Sequence, residues 1–344
     1  MDQEGKIITI SVIIPAYNVS AYIERCIHSV MAQTRPCTEC ILVDDASTDN
    51  GIAKCERLIA GYQGPTRFVI LHHKTNRGVS AARNTGFAAA TSDYIFYLDS
   101  DDEMTPDCLE KLSAPLLQHE SIEMVLGNYD LIADGHPLPD QKHKHLPERD
   151  LATKEESRRY FFSHGEYPVV AWNKLLKRSF LEANRLFFIE GLLFEDNIWT
   201  FFMMKHLSHV YIVPDVTFLH YKRPCSITTG TDREKYVHHR AIVYKEIASH
   251  LTPGEEAREA AYYVSEFRSL FGINPKEPLL HQTLPLFKIA LSDGHHKKAL
   301  FYLFLTQHLT RTAAGQKIFV ALRRIKKRGL LRLKATVLFK ITTI

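Results

Sequence analysis

Residues 94–102 read YIFYLDSDD, an apolar run that ends in three carboxylates within four residues. The apolar half predicts a buried strand, so the acidic half is expected at one rim of a sheet. Clustered carboxylates repel one another, and a set of oxygen ligands suits Mg²⁺ or Mn²⁺. Because Asp99 and Asp101 are two residues apart, an extended chain points both side chains to the same side. The stretch favours a divalent-cation site, and the alternative is a solvated acidic turn that caps the next helix.

Apolar runs also precede this stretch at nearly regular intervals. Residues 7–14 are apolar enough for a strand that is buried on both faces and ended by Pro15. Residues 41–43 and 68–71 predict two shorter strands, and residues 124–126 predict another strand further on. Segments with helical spacing lie between the runs. Strands and helices that alternate at a spacing of about 25 residues predict a doubly wound α/β domain.

Ligands of such domains bind beyond the carboxyl ends of the strands, and polar residues of this chain fall at those positions. They are Tyr17-Asn18, Asp44-Asp45 and Asp99 to Asp102. The first strand ends in Pro15-Ala16-Tyr17-Asn18 instead of a G-x-G-x-x-G loop, which argues against a dinucleotide-binding domain. The sequence also lacks a G-x-x-x-x-G-K-[ST] loop, so a P-loop NTPase is not expected.

The length of 344 residues allows a large core and more than one domain. We expect an α/β domain over 1–228. Within it, residues 136–158 are polar and predict a loop. Residues 229–344 predict a mainly helical C-terminal region.

Several classes of protein are disfavoured by composition. The six cysteines have no regular spacing and do not form a disulfide framework. The N-terminus lacks a basic region followed by an apolar signal core. No apolar run approaches the length of about 18 residues that a transmembrane helix needs. These features predict a cytoplasmic protein.

The net charge of +4 hides an asymmetry between the body of the chain and its tail. Residues 294–344 hold 12 Lys and Arg and no Asp or Glu, and apolar residues recur between the charges at helical spacing. Basic amphipathic segments of this kind lie on anionic membranes, so we expect the tail to dock at the inner face of the cell membrane. A solvated helical face is the alternative. Nucleic-acid binding is not expected, because the tail lacks aromatic interleaving and any known module.

Short motifs of this chain resemble family 2 of the glycosyltransferases, which have the GT-A fold. The motifs are Pro15-Ala16-Tyr17-Asn18, Asp44 to Asp49, Gly78 to Asn84, Asp99 to Asp102, Trp172-Asn173-Lys174, Glu195-Asp196 and His220 to Ser226. Their order and spacing are similar to those of the family over about the first 110 residues, and with the later motifs the resemblance covers about two-thirds of the chain. The resemblance implies a Rossmann-like mixed sheet and a catalytic domain over 1–228, with a nucleotide-binding half over about 1–130 and an acceptor half over about 131–228. It also implies transfer of a sugar from a nucleotide-sugar, usually UDP-linked, to an acceptor hydroxyl with inversion.

The resemblance further implies roles on the nucleotide side of the site. Ala16 and Tyr17 resemble the walls of the uracil pocket, and Asp44 or Asp45 resembles the carboxylate that accepts a hydrogen bond from the base. Asp99 resembles the ribose contact. Arg83 either reaches a phosphate or solvates its own helix. The residues implied to bind the donor are Pro15, Ala16, Tyr17, Asn18, Asp44, Asp45, Arg83, Asp99 and Ser100.

The remaining motifs imply catalytic and metal-binding roles. Asp101 resembles the direct ligand of Mn²⁺ or Mg²⁺, and His220 resembles a residue near that metal, although a His at a strand end is often structural. Asp196 resembles the general base of the family. Its apolar flanks would partly desolvate it and raise its basicity, which fits that role. Glu195 is the alternative base, and Asp196 could also cap its helix. Lys174 contacts donor or acceptor, or braces its loop.

The family includes processive synthases, which carry a Gln-x-x-Arg-Trp motif and transmembrane helices. This sequence has neither feature, so we expect a single-addition enzyme that acts on surface polysaccharide or a lipid-linked oligosaccharide. A sugar-phosphate nucleotidyltransferase is an alternative, but it needs a Gly-rich loop with a nearby Lys after the first strand. A second alternative is a nucleotide-sugar-binding protein without turnover, which the presence of Asp101 and Asp196 disfavours.

Overall fold

The computed structural model describes residues 7–133, 136–138, 145–164, 169–222 and 233–252. The chain divides into two compact units, Met1–Pro224 and Cys225–Ile344. The first unit holds the sheet and every candidate site residue. The described part of the second unit is mostly one helix, Arg233–Ser249. The basic tail at 294–344 lies outside the described residues, so its docking on a membrane stays a prediction.

Parallel strands alternate with helices in the first part of the first unit, as the sequence predicts. The elements are β1 (Ile10–Ala16), α1 (Ile23–Met31), β2 (Glu39–Asp44), α2 (Gly51–Gly61), β3 (Arg67–His72), α3 (Val79–Ala89) and β4 (Tyr94–Tyr97). These strands pair in parallel in the order β3-β2-β1-β4. Ile13 and Ile41 lie in one apolar cluster, whereas their neighbours Ile14 and Leu42 lie in another. Burial on both faces explains the unbroken apolar runs of β1 and β2, whereas the outermost strand β3 is only partly buried.

The sheet then gains strands from more distant parts of the chain and becomes mixed. The later elements are β5 (Glu103–Met104), α4 (Cys108–Ser113), β6 (Met124–Ala133), β7 (His136–Pro137), β8 (Arg149–Leu151), α5 (Lys154–His164), β9 (Lys174–Lys177), α6 (Arg178–Ala183), α7 (Glu195–His206), β10 (Val210–Tyr221) and α8 (Arg233–Ser249). The full order is β3-β2-β1-β4-β9-β6-β10-β5, with β7 on β6 and β8 on β10. Strand β9 runs antiparallel between β4 and β6, whereas β10 is parallel to β6.

The prediction of a loop over 136–158 is wrong in part. This range contains β7, β8 and the beginning of α5. Leu151 pairs with Val210 of β10, and Asp150 Oδ1 lies 2.6 Å from Nε2 of His209. Short polar edge strands have no apolar alternation of their own, so only their tertiary pairing identifies them.

The prediction that Pro15 ends the first strand is also wrong, because β1 continues to Ala16. Leu98 donates its backbone N–H to the carbonyl of Ile13, which shows that alternate residues of β1 face β4. Pro15 therefore also faces β4, but β4 pairs with β1 only from Ile10 to Ile13. The N–H that proline lacks would have had no partner on β4, so the residue is tolerated there.

Helix α3 approaches β1 closely at Gly86. A Cβ at this position would lie 2.4 Å from Cγ2 of Ile13, so any larger residue would push the helix away from the sheet. The approach matters because Arg83 lies on the preceding turn of the same helix. Gly86 therefore allows the helix that carries Arg83 to pack closely against β1.

None of the helices in the described part of the chain has the length and apolar character that a membrane crossing requires. The five described cysteines are buried free thiols, as expected of a chain without a disulfide framework.

Candidate active site

The carboxyl ends of β1 and β2 form the first part of the site. Pro15 and Ala16 are the buried last two residues of β1, and Tyr17, which follows them, is 47% exposed at the rim. The carbonyl of Ala16 accepts the backbone N–H of Asp45 at 2.8 Å, which holds the two strand ends together. An exposed aromatic ring at a fixed rim position can pack against a flat ligand.

Asn18 fastens this rim to the loop after β2. Its φ of 51° is left-handed, a conformation that Asn tolerates better than most residues. Its Oδ1 accepts the N–H of Thr48 at 2.8 Å and that of Asp49 at 3.3 Å, and its own N–H donates to Ser47 Oγ at 3.2 Å. Asn18 therefore holds the loop after β2 against the end of β1.

Asp44 and Asp45 have different surroundings, although the sequence treats them alike. The buried Asp45 carboxylate accepts the N–H groups of Arg77 and Gly78 at 2.8 and 2.7 Å and lies 2.7 Å from Nδ1 of His73. Its hydrogen-bonding capacity is used to hold the loop before α3. The sequence left both residues open as base contacts, and the structure gives Asp45 this internal role.

Asp44 lies nearer to solvent, with 11% of its side chain exposed. Its Oδ1 accepts the N–H of Ser47 at 2.8 Å, and its Oδ2 lies 3.0 Å from Nδ1 of His72. Burial alone would raise the pKa of Asp44, but these hydrogen bonds outweigh it and hold the pKa below its ordinary value. Asp44 thus stays a carboxylate acceptor at the rim.

Arg83 is the centre of the site. Its guanidinium pairs with Asp99 at the end of β4 and with Glu195 and Asp196 at the start of α7, each at 2.9 Å. Burial would lower its pKa, but the carboxylates outweigh that effect and raise it. The side chain is only 3% exposed, so the interpretation that Arg83 solvates its helix is wrong. It links the strand-end carboxylate to the predicted base.

Glu195 and Asp196 occupy the first turn of α7, where negative charge is favourable. The cap position belongs to Phe194, with a φ of 64°, so the interpretation of Asp196 as the N-cap is wrong. Asp196 keeps 20% of its side chain exposed, against 11% for Glu195. Burial, with added repulsion from Glu195 and Asp99, raises the pKa of Asp196 to about 7, although Arg83 and Lys174 oppose the rise.

The acidic stretch after β4 is a turn rather than an extended chain. The N–H of Asp102 donates to the carbonyl of Asp99 at 3.1 Å, so the expectation that Asp99 and Asp101 point the same way loses its premise. The carbonyl of Asp101 accepts Arg25 Nη2 at 2.6 Å. The buried Ser100 lies inside this turn.

His220 lies at the end of β10 against that turn. Its Nδ1 is 3.0 Å from Oδ2 of the buried Asp102, and the Asp102 carboxylate also accepts the N–H of Tyr221 at 2.8 Å. Burial raises the pKa of Asp102 to about 6, although His220 opposes the rise. The ring of His220 stacks on Trp172 at 5.2 Å. With Nδ1 held by a carboxylate, Nε2 is the nitrogen that can serve an external ligand.

The donor set around Asp101 and His220 fits a hard or borderline divalent cation. A carboxylate and an imidazole that is oriented by a second carboxylate are common around such ions. Over the described ranges, however, no group of three or more His, Cys, Asp or Glu side chains is arranged to hold a metal by itself. A cation at this place would need oxygen ligands from a bound substrate to complete its shell.

Sequence reasoning missed two residues that shape the site. Arg25 on α1 pairs with Glu103 at 2.6 Å, and its guanidinium lies 3.5 Å above the ring of Tyr221. Asp102 belongs to the quoted acidic motif, but its role as the partner of His220 was not foreseen. Partners that are more than seventy residues apart leave no local pattern, so neither role could be identified from spacing.

Comparison of the sequence with known proteins finds glycosyltransferases. The protein-family model for glycosyl transferase family 2 matches residues 11–184 of this chain. Glycosyltransferase YibD of Escherichia coli is 30% identical over 193 residues, 56% of this chain and 55% of YibD. EpsJ of Bacillus subtilis is 28% identical over 223 residues, 64% of this chain and 62% of EpsJ. TuaG of the same organism, named for teichuronic acid biosynthesis, is 37% identical over 141 residues, 40% of this chain and 53% of TuaG. The chain thus spans between half and two thirds of each of these curated relatives.

Solved structures share the fold at low sequence identity. S. aureus TarS in complex with UDP-GlcNAc superposes with a TM-score of 0.70 and 19% identity, over 95% of this chain and 93% of that one. The mannosyltransferase PcManGT of Pyrobaculum calidifontis, in complex with GDP-Man and Mn²⁺, has a TM-score of 0.54 and 17% identity, over 92% and 84% of the two chains. These likenesses confirm the predicted GT-A fold.

Proposed function

Because the chain belongs to glycosyltransferase family 2, we propose that it moves a sugar from a UDP-sugar to an acceptor hydroxyl with inversion. The observation that carries the proposal is the Arg83 cluster, which links the strand-end carboxylate Asp99 to the paired carboxylates Glu195 and Asp196. A transferase needs a donor site and a base next to each other, and this cluster supplies the connection.

On the nucleotide side, we assign the uracil contact to Ala16 and Tyr17. Asp44 is the better candidate for the hydrogen bond from the base, because Asp45 is more deeply buried and already has three partners in the loop before α3. Asp99 gives one oxygen to Arg83 and keeps 28% of its side chain exposed, so its other oxygen can accept a ribose hydroxyl. Pro15, Asn18 and Ser100 support the rim.

On the catalytic side, we assign the general base to Asp196. Inversion by a single displacement needs one base to accept the proton of the acceptor hydroxyl, and no covalent enzyme intermediate. A carboxylate with a pKa of about 7 accepts a proton better than an ordinary carboxylate does. Asp196 is also the more exposed of the pair, so an acceptor reaches it more easily than Glu195.

We further propose that Asp101 and His220 hold a divalent cation, Mn²⁺ or Mg²⁺. When bound, such a cation offsets the negative charge of a diphosphate leaving group. Asp102 keeps Nδ1 of His220 occupied and fixes the ring orientation. Arg25 holds the turn through the carbonyl of Asp101.

The acceptor belongs to surface polysaccharide or lipid-linked oligosaccharide synthesis in our proposal, and one sugar is added per acceptor. The relative TuaG is named for teichuronic acid biosynthesis, which is a precedent for a polymer of this kind. Formation of a polymer by the purified chain with a single donor would contradict single addition.

Calorimetric titration of UDP with and without Mn²⁺ tests the nucleotide site. We expect cation-dependent binding to the native chain and its loss in Asp101→Asn. Incubation with UDP-sugars and saccharide acceptors, with the anomeric configuration of the product read by NMR, then tests transfer with inversion. UDP binding without turnover on any acceptor would favour the alternative of a binding protein, and no UDP binding at all would contradict the proposal.

A further inference from the structure

Lys174 is fully buried at the start of β9, three residues after Ala171, whose backbone N–H contacts the proposed base Asp196. Lysine is almost never buried to this extent unless its charge has partners. Its Nζ donates a hydrogen bond to the carbonyl of Val170 and lies 3.5 Å from the carbonyl of Trp172. The side chain thus turns back beneath the residues that precede it.

Residues 169–173, which we call the tether loop, are fastened on one side to α7. Thr200 Oγ1 donates to the carbonyl of Val169 at 3.1 Å. The backbone N–H of Ala171 faces Oδ2 of Asp196 at 3.4 Å. The tether loop therefore contacts the base directly through its backbone.

The other end of the tether loop is fastened to the sheet. Asn173, with a φ of 58°, donates from Nδ2 to the carbonyls of Gly127 and Asn128 at 2.8 and 2.9 Å. Its Oδ1 accepts the hydroxyl of Thr217 at 2.7 Å. These bonds anchor the loop on β6 and β10. Lys174 adds hydrogen bonds to the carbonyls of Val170 and Trp172 within the same loop.

The charges of the base and the lysine act on each other. Burial lowers the pKa of Lys174 to about 7, while the Asp196 carboxylate opposes that shift and Arg83 adds to it. In turn, Lys174 and Arg83 lower the pKa of Asp196, whereas Glu195 and Asp99 raise it. Arg83 on α3, Asp99 after β4, Glu195 on α7 and Lys174 on β9 are thus the charged groups that face the base.

We propose that Lys174 is a positioning residue for the base: it holds the tether loop against Asp196 and supplies positive charge that stabilises the Asp196 carboxylate. The inference rests on the proposed role of Asp196. The proposal gives the charge of Lys174 a role in addition to bracing the loop. A neutral side chain of similar length would fill the same space but would not stabilise the carboxylate.

The test compares Lys174→Met with Lys177→Met, which removes a lysine from the same strand whose Nζ binds the carbonyl of Glu120 instead. The Asp196 carboxyl carbon is followed by ¹³C NMR in protein labelled with [4-¹³C]aspartate and is assigned by its loss in Asp196→Asn. We expect Lys174→Met to raise the titration midpoint of Asp196 by about 1 pH unit, and Lys177→Met to leave it unchanged. An unchanged midpoint in a folded Lys174→Met variant would overturn the proposal.

A reciprocal measurement covers the case in which Lys174→Met does not fold. Linkage requires Asp196 to act on Lys174 as strongly as Lys174 acts on Asp196. In protein labelled at lysine Cε, the lysine that titrates near pH 7 should therefore shift downward by the same amount in Asp196→Asn. No shift would overturn the proposal. Both titrations are read without substrate, so a failure here is distinct from a failure of sugar transfer.

Discussion

The nucleotide side of the site and the base side are built in different ways. On the nucleotide side, Asn18 and Asp45 accept hydrogen bonds from backbone N–H groups of nearby loops at the ends of adjacent parallel strands. On the base side, Asp196 on α7 and Lys174 on β9 come from separate elements, and they are held by the ion pair with Arg83 and by hydrogen bonds of the buried lysine to loop carbonyls. The first arrangement follows from strand order, whereas the second depends on packing between distant segments.

Arg83 is the residue that joins the two sides. One of its terminal nitrogens binds Asp99 and the other binds Glu195 and Asp196, so a single guanidinium contacts carboxylates of both sides. Variants that affect only one side should change one property of the enzyme, and a variant of Arg83 should change several.

The largest effect is expected from Arg83→Met. Removal of a buried cation that has three carboxylate partners leaves unbalanced negative charge. We therefore expect the free energy of unfolding to fall by about 3 kcal/mol and sugar transfer to be lost. Urea unfolding and initial transfer rates measure both. The control is Arg77→Met, which breaks the half-exposed pair with Glu190 and should cost about 1 kcal/mol or less. Equal effects of the two variants would contradict a special role for Arg83.

A second effect separates two neighbours on the nucleotide side. Asp45→Asn replaces a buried acceptor of two backbone N–H groups, and we expect a stability loss of about 2 kcal/mol by urea unfolding. Asp44→Asn should cost less stability but weaken UDP binding about tenfold by calorimetry. The reverse pattern would show that Asp45 is the base contact and Asp44 the internal anchor.

The pH dependence of turnover tests the base side. The pKa of Asp196 is raised to about 7, and the base must be deprotonated to accept a proton. We therefore expect kcat/KM to fall as the pH is lowered through about 7, while circular dichroism shows that the fold persists. A profile that stays flat down to pH 5 would mean that a carboxyl with an ordinary pKa, or another group, accepts the proton.

The smallest effect is expected from Trp172→Leu. Trp172 stacks between Phe218 at 4.6 Å and His220 at 5.2 Å, and it contributes to the orientation of the imidazole. Loss of the stacking should reduce the free energy of Mn²⁺-dependent UDP binding by about 1 kcal/mol, which corresponds to a roughly fivefold loss of affinity. An equal loss of UDP affinity without Mn²⁺ would show that Trp172 acts on the nucleotide rather than through His220.

The difference between the two sides also explains what the sequence could predict. Strands β1, β2 and β4 are predictable because both of their faces are buried and their composition shows it. The outermost strand β3 is only partly buried and is predictable from its apolar run at 68–71. The polar residues at their ends followed from the strand order. The strands β7 and β8 were missed because they are short and polar. Likewise, the pairing of Asp102 with His220 joins residues far apart in sequence, and only the folded chain brings them together.

Resemblance to a family supplied names for residues but not their surroundings. It left Asp44 and Asp45 equivalent, and the structure separates them by burial and hydrogen bonding. It offered Arg83 as a phosphate contact or a solvated side chain, whereas the structure shows a buried guanidinium among carboxylates. It left Lys174 with three roles, and its bonds to the carbonyls of the tether loop favour the bracing role, extended here by its charge.

The most direct test of the account is Asp196→Asn, assayed for UDP binding and for sugar transfer on the same preparation. The account predicts UDP affinity within about twofold of the native chain, and a transfer rate reduced by about 10³-fold, because binding and base belong to different sides of the site. Glu195→Gln serves as the matched control and should retain more activity. Transfer that persists in Asp196→Asn but is lost in Glu195→Gln would contradict the assignment of the base, and persistence in both would contradict the account of catalysis.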